Sequence, residues 1–147
     1  MSRVPRIIGV QAEGSAAISN AYHANTETIT PVSATTIADS ISVDLPRDGA
    51  RAVRAAKETG GTYVNVSDEE ILKAIAELGK VGVFAEPAGA AAYAGVARAI
   101  SNGAVGSEDP ILVINTGSGL KDIRAAMSAV SPAPVIEPTL DAVKKLL

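Results

Sequence analysis

A hydroxyl and two glycines directly follow a run of four large aliphatic residues. Residues 111–114 (ILVI) lead through Asn115 into Thr116, and Gly117 and Gly119 come next. An uninterrupted apolar run predicts a strand that is covered on both faces. Glycines let a backbone turn sharply and approach a ligand closely, and open α/β sheets bind ligands beyond the carboxyl ends of their strands. We therefore expect chemistry at Thr116, although an ordinary turn after a core strand would give the same pattern.

Glu86 is the second candidate, because it occupies a similar turn. Residues 81–84 (VGVF) predict another short buried strand, and Glu86 and Pro87 follow it closely. Pro87 suits the first turn of a helix, which is predicted to run to about Ser101. We expect the ends of the two strands to face one crevice, which would bring Glu86 and Thr116 together. The alternative for Glu86 is a carboxylate that stabilises the N-terminus of the helix.

Two other groups offer less chemistry. Lys121 borders the glycine turn, and we expect it to be a surface charge at a helix start rather than a catalytic residue. The turn lacks the spacing of a nucleotide-binding phosphate loop. His23, the single histidine, lies in a polar, Thr-rich loop, where a surface role is expected and a substrate contact stays open.

The composition restricts the classes of function. The chain of 147 residues is 47% hydrophobic and 20% charged, which is typical of a globular domain. Its net charge of −3 gives no basic footprint for nucleic acid or an anionic membrane, and no apolar run approaches the roughly 20 residues of a membrane span. The chain has no cysteine, so we predict neither disulfides nor a thiol–metal site, and a cytoplasmic location is expected. With one histidine, we predict no metal site at all.

Strand-like and helical segments alternate along the chain, which predicts the fold class. We expect four short strands, at residues 5–12, 62–66, 81–84 and 111–114. Helices between strands indicate an α/β domain with α/β/α layers and a mainly parallel sheet. Four short strands make a thin sheet whose faces all need cover, so we expect part of that cover to come from elsewhere.

The clearest local signal lies at Ser67. Ser67 and Glu70 form the pattern of a capping box, in which each side chain binds the backbone N–H of the other residue, and a helix is predicted from there to Gly79. Ser15 and Asp48 are the predicted caps of two further helices. The remaining predictions are a loop at 22–33, a segment ambiguous between helix and strand at 35–45, a helical turn at 123–127, a Pro-rich linker at 131–138 and a short amphipathic helix at 139–147.

Five stretches together resemble the threonine synthase family, which comprises pyridoxal-phosphate enzymes of the tryptophan-synthase-β-like fold. Their order and spacing resemble the carboxyl-terminal part of that family over roughly residues 5–127. The EPAGA segment at Glu86 is similar in related dehydratases and serine racemases, whereas TGSGLKD from Thr116 favours threonine synthase. The stretches are GVQAEGSAAI (9–18), TIADSI (36–41), VSDEEI (66–71), GVFAEPAGAAAYAG (82–95) and NTGSGLKD (115–122).

The resemblance implies roles for the residues of the glycine turn. In such enzymes a Thr or Ser hydroxyl faces the pyridine nitrogen of pyridoxal 5′-phosphate. A neutral hydroxyl does not favour protonation of that nitrogen, which tunes electron withdrawal by the ring. By resemblance Thr116 takes this role, Gly117 and Gly119 let the backbone pass the ring edge, and Glu86 lies near the cofactor. These four residues are the cofactor-binding set that the resemblance implies.

The match does not include the residues that hold the cofactor covalently. The family uses a Schiff-base lysine near its amino terminus and a glycine-rich loop for the cofactor phosphate, and both lie upstream of anything matched here. A Schiff-base lysine needs a desolvated pocket, which none of the six lysines is expected to occupy, Lys121 included. We therefore expect no catalytic residue in this chain and no activity of the chain alone.

The sequence thus predicts the carboxyl-terminal portion of a threonine synthase, whose intact form would convert O-phospho-L-homoserine and water to L-threonine and phosphate. Its expected partners are this small-molecule substrate, the amino-terminal part of the same enzyme, and further copies in a homo-oligomer, but neither nucleic acid nor a membrane. Residues 1–130 are assigned to a fold type II catalytic domain and residues 131–147 to the linker and terminal helix. Two alternatives stay open: a sister lyase such as a threonine or serine dehydratase, and a non-catalytic binding or regulatory module that keeps the fold.

Overall fold

Two parallel strands and six α-helices make up the part of the chain that the computed structural model describes, residues 4–146. Three short 3-10 turns connect some of them, at Glu13–Ser15, Asp39–Ile41 and Gly119–Lys121. The strands and helices, in chain order, are β1 (Ile8–Ala12), α1 (Ala17–His23), α2 (Gly49–Glu58), β2 (Thr62–Val66), α3 (Asp68–Lys80), α4 (Pro87–Ser101), α5 (Ile123–Ser128) and α6 (Leu140–Lys144).

The two strands form the middle layer between helices. Strands β1 and β2 pair in parallel, with Val10 opposite Val64, and successive side chains of a strand point to opposite faces. On one face Val10 meets Gly95 of α4 so closely that a Cβ atom at residue 95 would overlap the valine side chain. On the other face the Gln11 side chain accepts a hydrogen bond of 2.8 Å from the backbone N–H of Ser19 in α1. The predicted α/β class with α/β/α layers is therefore confirmed.

Helix α3 begins where the capping box predicts. The Ser67 N–H donates to Glu70 Oε2 at 2.8 Å, and the Glu70 N–H donates to Ser67 Oγ at 3.2 Å. Its apolar face enters the core, and Ile71 is completely buried, a burial that contributes about 1.5–3 kcal/mol. The helix ends at Lys80, one residue beyond the predicted stop at Gly79.

Helix α4 also agrees with its prediction, from Pro87 at its first turn to Ser101. Its buried side is made of alanines and glycines, and this thin surface lets the helix lie directly on β1 and β2. The position of Pro87 matters for the site below, because it places the start of α4 directly after Glu86.

Of the two further predicted caps, Ser15 is wrong and Asp48 is right in position only. Helix α1 begins at Ala17 without a side-chain cap, because the buried Ser15 hydroxyl instead donates to the Ile41 carbonyl at 2.9 Å and accepts from the Val43 N–H at 3.0 Å. Asp48 stands at the N-cap position of α2, but its side chain makes no capping bond. It forms an exposed ion pair with Arg51 at 3.3 Å. Ser15, which follows β1 closely, thus holds residues 41–43 beside the end of that strand.

Two predicted strands are also wrong. Neither residues 81–84 nor residues 111–114 form a strand within the described chain, and these regions meet only in a single antiparallel bridge between Ala85 and Ser118. The second run is exposed rather than buried, with Leu112 88% and Ile114 68% accessible to solvent. A strand exists only where another strand accepts its backbone hydrogen bonds. Within residues 4–146 no backbone N–H or C=O of residues 111–116 makes such a bond.

The carboxyl-terminal region packs little. Helix α5 confirms the helical turn predicted at 123–127, and α6 falls within the predicted terminal helix, whose last residue lies outside the described chain. Between them residues 131–137 have no regular structure, and none of residues 131–146 is buried. None of the helices described is both long and apolar enough to cross a membrane.

Candidate functional site

The structure brings the two predicted turns together. The Glu86 N–H donates to the Gly117 carbonyl at 3.0 Å, and the Gly119 N–H donates to the Phe84 carbonyl at 2.9 Å. The turns therefore adjoin through an antiparallel bridge, and not as the neighbouring ends of parallel strands that the sequence predicted. Because the bridge lies at the start of α4, the helix holds the glycine turn in place.

Glu86 is a buried carboxylate at this junction, with only 6% of the residue exposed. It precedes Pro87, and the residue before a proline favours an extended backbone; its φ and ψ are −74° and 162°. Although Glu86 occupies the N-cap position of α4, its side chain makes no capping hydrogen bond. Its Oε1 atom instead accepts from Lys121 Nζ at 2.8 Å. This contact matters because a buried charge without a partner is strongly destabilising.

Gly117 and Gly119 are glycines because side chains cover them. A Cβ atom at residue 117 would overlap the carboxylate of Glu86, and one at residue 119 would overlap the ring of Phe84. The structure thus uses one side of each glycine for packing within the chain. The roles of these glycines beside a cofactor ring, which the resemblance implies, stay predictions.

Thr116 precedes this packed turn and is exposed. Its hydroxyl makes no hydrogen bond within the described chain, so it is available to a ligand. Ser118 has a local role instead, because its Oγ atom accepts from the Leu120 N–H at 3.3 Å. Asp122 caps α5 by accepting from the Ala125 N–H at 2.9 Å. The Thr116 hydroxyl is therefore free both to donate a hydrogen bond to a ligand and to accept one.

An open cavity of about 260 Å³ lies beside the Glu86–Lys121 pair. Its charged lining consists of the carboxylates of Asp39, Glu86 and Asp122 and the ammonium group of Lys121, and Thr116 does not line it. Three carboxylates and one ammonium disfavour an anion, so this cavity is unsuited to a phosphate group.

Sequence reasoning missed the contact of Asn115 with helix α4. A Cβ atom added at Gly89 would overlap the Asn115 Oδ1 atom. Gly89 and Asn115 are 26 positions apart in the chain. The glycine itself was the only signal in the sequence that another residue packs closely against the first turn of α4.

His23 and Glu70 lie elsewhere in the fold. His23 Nε2 is 3.2 Å from the Tyr63 carbonyl oxygen, on the face of the sheet that α1 covers and α4 does not. Glu70 joins α3 to α4, because both of its carboxylate oxygens accept from Arg98 Nη2, at 2.7 and 2.8 Å. Burial tends to raise the pKa of Glu70, but the Ser67 N–H and Arg98 outweigh it and hold that pKa below its usual value. In the described residues no group of His, Cys, Asp and Glu is arranged to hold a metal ion.

Comparisons with known proteins agree with this geometry. Residues 1–117 match the family described as pyridoxal-phosphate dependent enzyme. A threonine synthase of Methanosarcina acetivorans is 34% identical over 146 residues, which are 98% of this chain and 36% of that protein. One of Halalkalibacterium halodurans is 39% identical over 137 residues, 92% of this chain and 36% of that protein. The chain thus spans about a third of the length of these relatives.

A solved structure is similar as well. The crystal structure of a threonine deaminase from T.th. superposes with a TM-score of 0.51 at 25% identity, over 62% of this chain and 33% of that one. Its fold agrees with the α/β architecture described above. The family match covers the whole of the packed region up to the glycine turn, and the resemblance found in the sequence is thereby confirmed. This chain belongs to the family of pyridoxal-phosphate dependent enzymes.

Proposed function

We propose that the chain is the carboxyl-terminal portion of a threonine synthase, and that the enzyme containing it converts O-phospho-L-homoserine and water to L-threonine and phosphate. The alignment of threonine synthases with nearly the whole chain carries this proposal. A cytoplasmic location is part of the proposal, and fractionation of the source cells would check it.

The site residues fit the ring end of the cofactor. Pyridoxal phosphate, when bound, supplies an electron-withdrawing ring that stabilises negative charge on the substrate. The free hydroxyl of Thr116 can make one hydrogen bond to the ring nitrogen, worth about 0.5–1.5 kcal/mol. Gly117 and Gly119 have no side chains that could block the approach of the ring to the backbone, and the Glu86 carboxylate lies against Gly117. Because the hydroxyl is neutral, it orients the ring without favouring a proton on the nitrogen.

The same residues do not supply the phosphate end of the site. The cavity beside Glu86 has a lining with more negative than positive groups, which disfavours a phosphate. Lys121, the lysine nearest to the site, is already paired with Glu86. We therefore assign the phosphate cradle and the covalently bound lysine to the amino-terminal part of the enzyme. It follows that the 147-residue chain alone neither holds the cofactor covalently nor turns over phosphohomoserine.

The exposed run at residues 111–114 supports a partner of this kind. Its apolar side chains and hydrogen-bonding backbone are both free in the described chain, and such an unpaired edge favours pairing with another strand. Pairing with a strand of the amino-terminal part would complete the sheet that the sequence predicts. Until that surface is covered, it favours association of copies, so we expect the chain alone to form oligomers.

A sister lyase is the second candidate, because the similar solved structure is a threonine deaminase. The two activities separate by product: a threonine synthase releases phosphate and threonine from phosphohomoserine, whereas a threonine or serine dehydratase releases ammonia and a 2-oxo acid. Assaying the enzyme that contains this chain with phosphohomoserine, threonine and serine decides between them. Turnover of none of these, with no cofactor bound, would favour the non-catalytic module.

The inactivity of the chain alone has its own test. The purified 147-residue chain is incubated with pyridoxal phosphate, its visible absorbance is recorded, and borohydride is added before peptide mapping. We expect no band that survives dialysis and no labelled lysine. A stable adduct at Lys121 would overturn this assignment. Lys73 lies on the exposed side of α3, so the Lys73→Met variant shows how much of any labelling comes from an exposed surface lysine.

A further inference from the structure

The Glu86–Lys121 ion pair is asymmetric in a way that a surface pair is not. The Glu86 side chain is 8% exposed and the Lys121 side chain is 58% exposed. For comparison, the pair between Lys73 and Glu77 on α3 has exposures of 77% and 40% and a longer separation of 3.9 Å. Exposed pairs of that kind contribute little, whereas a buried carboxylate depends on its partner.

The buried carboxylate is held against the backbone of the glycine turn. Its Oε1 atom is the nearest atom to the position that a Cβ at residue 117 would take, and the Glu86 N–H also donates to the Gly117 carbonyl. Lys121 belongs to the 3-10 turn that ends the same segment, so both ends of the Gly117–Lys121 turn contact Glu86. The carboxylate is therefore fixed next to the peptide bond that follows Thr116.

We propose that Lys121 is a positioning residue, which holds the Glu86 carboxylate against Gly117 and thereby fixes the orientation and electrostatic surroundings of Thr116. The proposal rests on the proposed function for its catalytic consequence. Its structural half, that Lys121 sets the place of the carboxylate, concerns this chain alone. The negative charge of Glu86 is balanced by the ammonium group of Lys121. Loss of that group would leave the buried carboxylate without a partner beside Gly117, the residue that follows Thr116.

The structural half is tested by nuclear magnetic resonance on the 147-residue chain without cofactor. Lys121→Met keeps the length of the side chain and removes its charge, Lys121→Arg keeps the charge, and Lys73→Met is the matched control on the surface pair. We expect Lys121→Met to shift the amide resonances of Thr116 and Gly117 and Lys121→Arg to return them towards the wild-type positions. Resonances equal in Lys121→Met and Lys73→Met would overturn the proposal.

The catalytic half is tested in the enzyme that contains this chain. We expect Lys121→Met to lower kcat on the order of tenfold or more, as misplacement of an active-site group does, with a change of less than about twofold in cofactor affinity and with recovery in Lys121→Arg. An unchanged kcat in Lys121→Met, or a kcat in Lys121→Arg as low as in Lys121→Met, would overturn the proposal.

These arms separate the two proposals from each other. If the wild-type enzyme binds no pyridoxal phosphate, the proposed function fails, while the resonances of the chain alone still report on Lys121. If the wild type is active and Lys121→Met matches it, the positioning role fails and the function stands.

Discussion

Replacing Gly117 with alanine tests how tightly the site is packed. The new methyl group would stand where the Glu86 carboxylate now lies. That carboxylate has little room to move, because it is buried and bound to Lys121 at 2.8 Å. Overpacking of this kind costs about 1–3 kcal/mol, and weakening the contact of the buried Glu86 carboxylate with Lys121 adds to the cost. We expect the free energy of unfolding to fall by about 2–3 kcal/mol, a large part of the roughly 5–15 kcal/mol typical of a domain.

Urea unfolding followed by circular dichroism measures this change. Gly79→Ala is the control, because Gly79 lies in α3 with nothing within 4 Å of its added Cβ, and we expect its stability to be unchanged or raised by up to about 1 kcal/mol. Combining Gly117→Ala with Glu86→Ala should cost no more than Glu86→Ala alone, since the overlapping group is gone. Wild-type stability of Gly117→Ala would refute the packing described here.

Three further predictions concern the rest of the chain. Burial tends to raise the pKa of Glu70, but the hydrogen bonds to its carboxylate and the charge of Arg98 outweigh burial and lower that pKa. The ionised Glu70 therefore stabilises the fold fully above its ordinary pKa of about 4.3. This stabilisation is lost as pH falls through the lower pKa of the folded state. The gap in urea midpoint between wild type and Glu70→Gln should therefore narrow from pH 6 to pH 3, and a constant gap would contradict this. Leu112→Glu should lower the average mass in light scattering at high protein concentration, whereas Val135→Glu, in the exposed linker, should not; equal effects would exclude the apolar run as the cause. Deleting residues 131–147 should change the free energy of unfolding by less than about 0.5 kcal/mol, because none of residues 131–146 is buried. A larger decrease of that free energy, measured by urea unfolding, would place the end of the domain beyond residue 130.

Local signals were predictable because their partners lie within a few residues. The Ser67–Glu70 capping box spans a single helical turn, and Pro87 fixes its own backbone angle. The helices that these residues begin are where the sequence places them. The prediction that Ser15 caps α1 was wrong for the corresponding reason. The Ser15 hydroxyl makes its hydrogen bonds with Ile41 and Val43, which lie more than 20 positions away in the chain.

The failure of residues 111–114 to form a strand could not be predicted from their composition. These aliphatic residues favour an extended backbone, but a strand also needs a neighbour, and no described strand lies beside this run. The site shows the same limit. That the turns at Glu86 and Gly117 adjoin was predictable from their similar patterns, whereas the expected shared crevice of Glu86 and Thr116 was not found, because Thr116 does not line the cavity beside Glu86. The pairing of Glu86 with Lys121 joins residues 35 positions apart and had no local signal.

We propose that Thr116 serves the cofactor of a threonine synthase. The most direct measurement compares wild type and Thr116→Val in the enzyme that contains this chain, following phosphate and threonine release from phosphohomoserine together with bound pyridoxal phosphate. We expect equal amounts of the two products from the wild type, and a lower kcat in Thr116→Val with nearly unchanged cofactor content, because the hydroxyl supplies only one hydrogen bond of about 0.5–1.5 kcal/mol. An enzyme that releases no threonine, or a Thr116→Val variant with the wild-type kcat, would contradict the proposed role of Thr116.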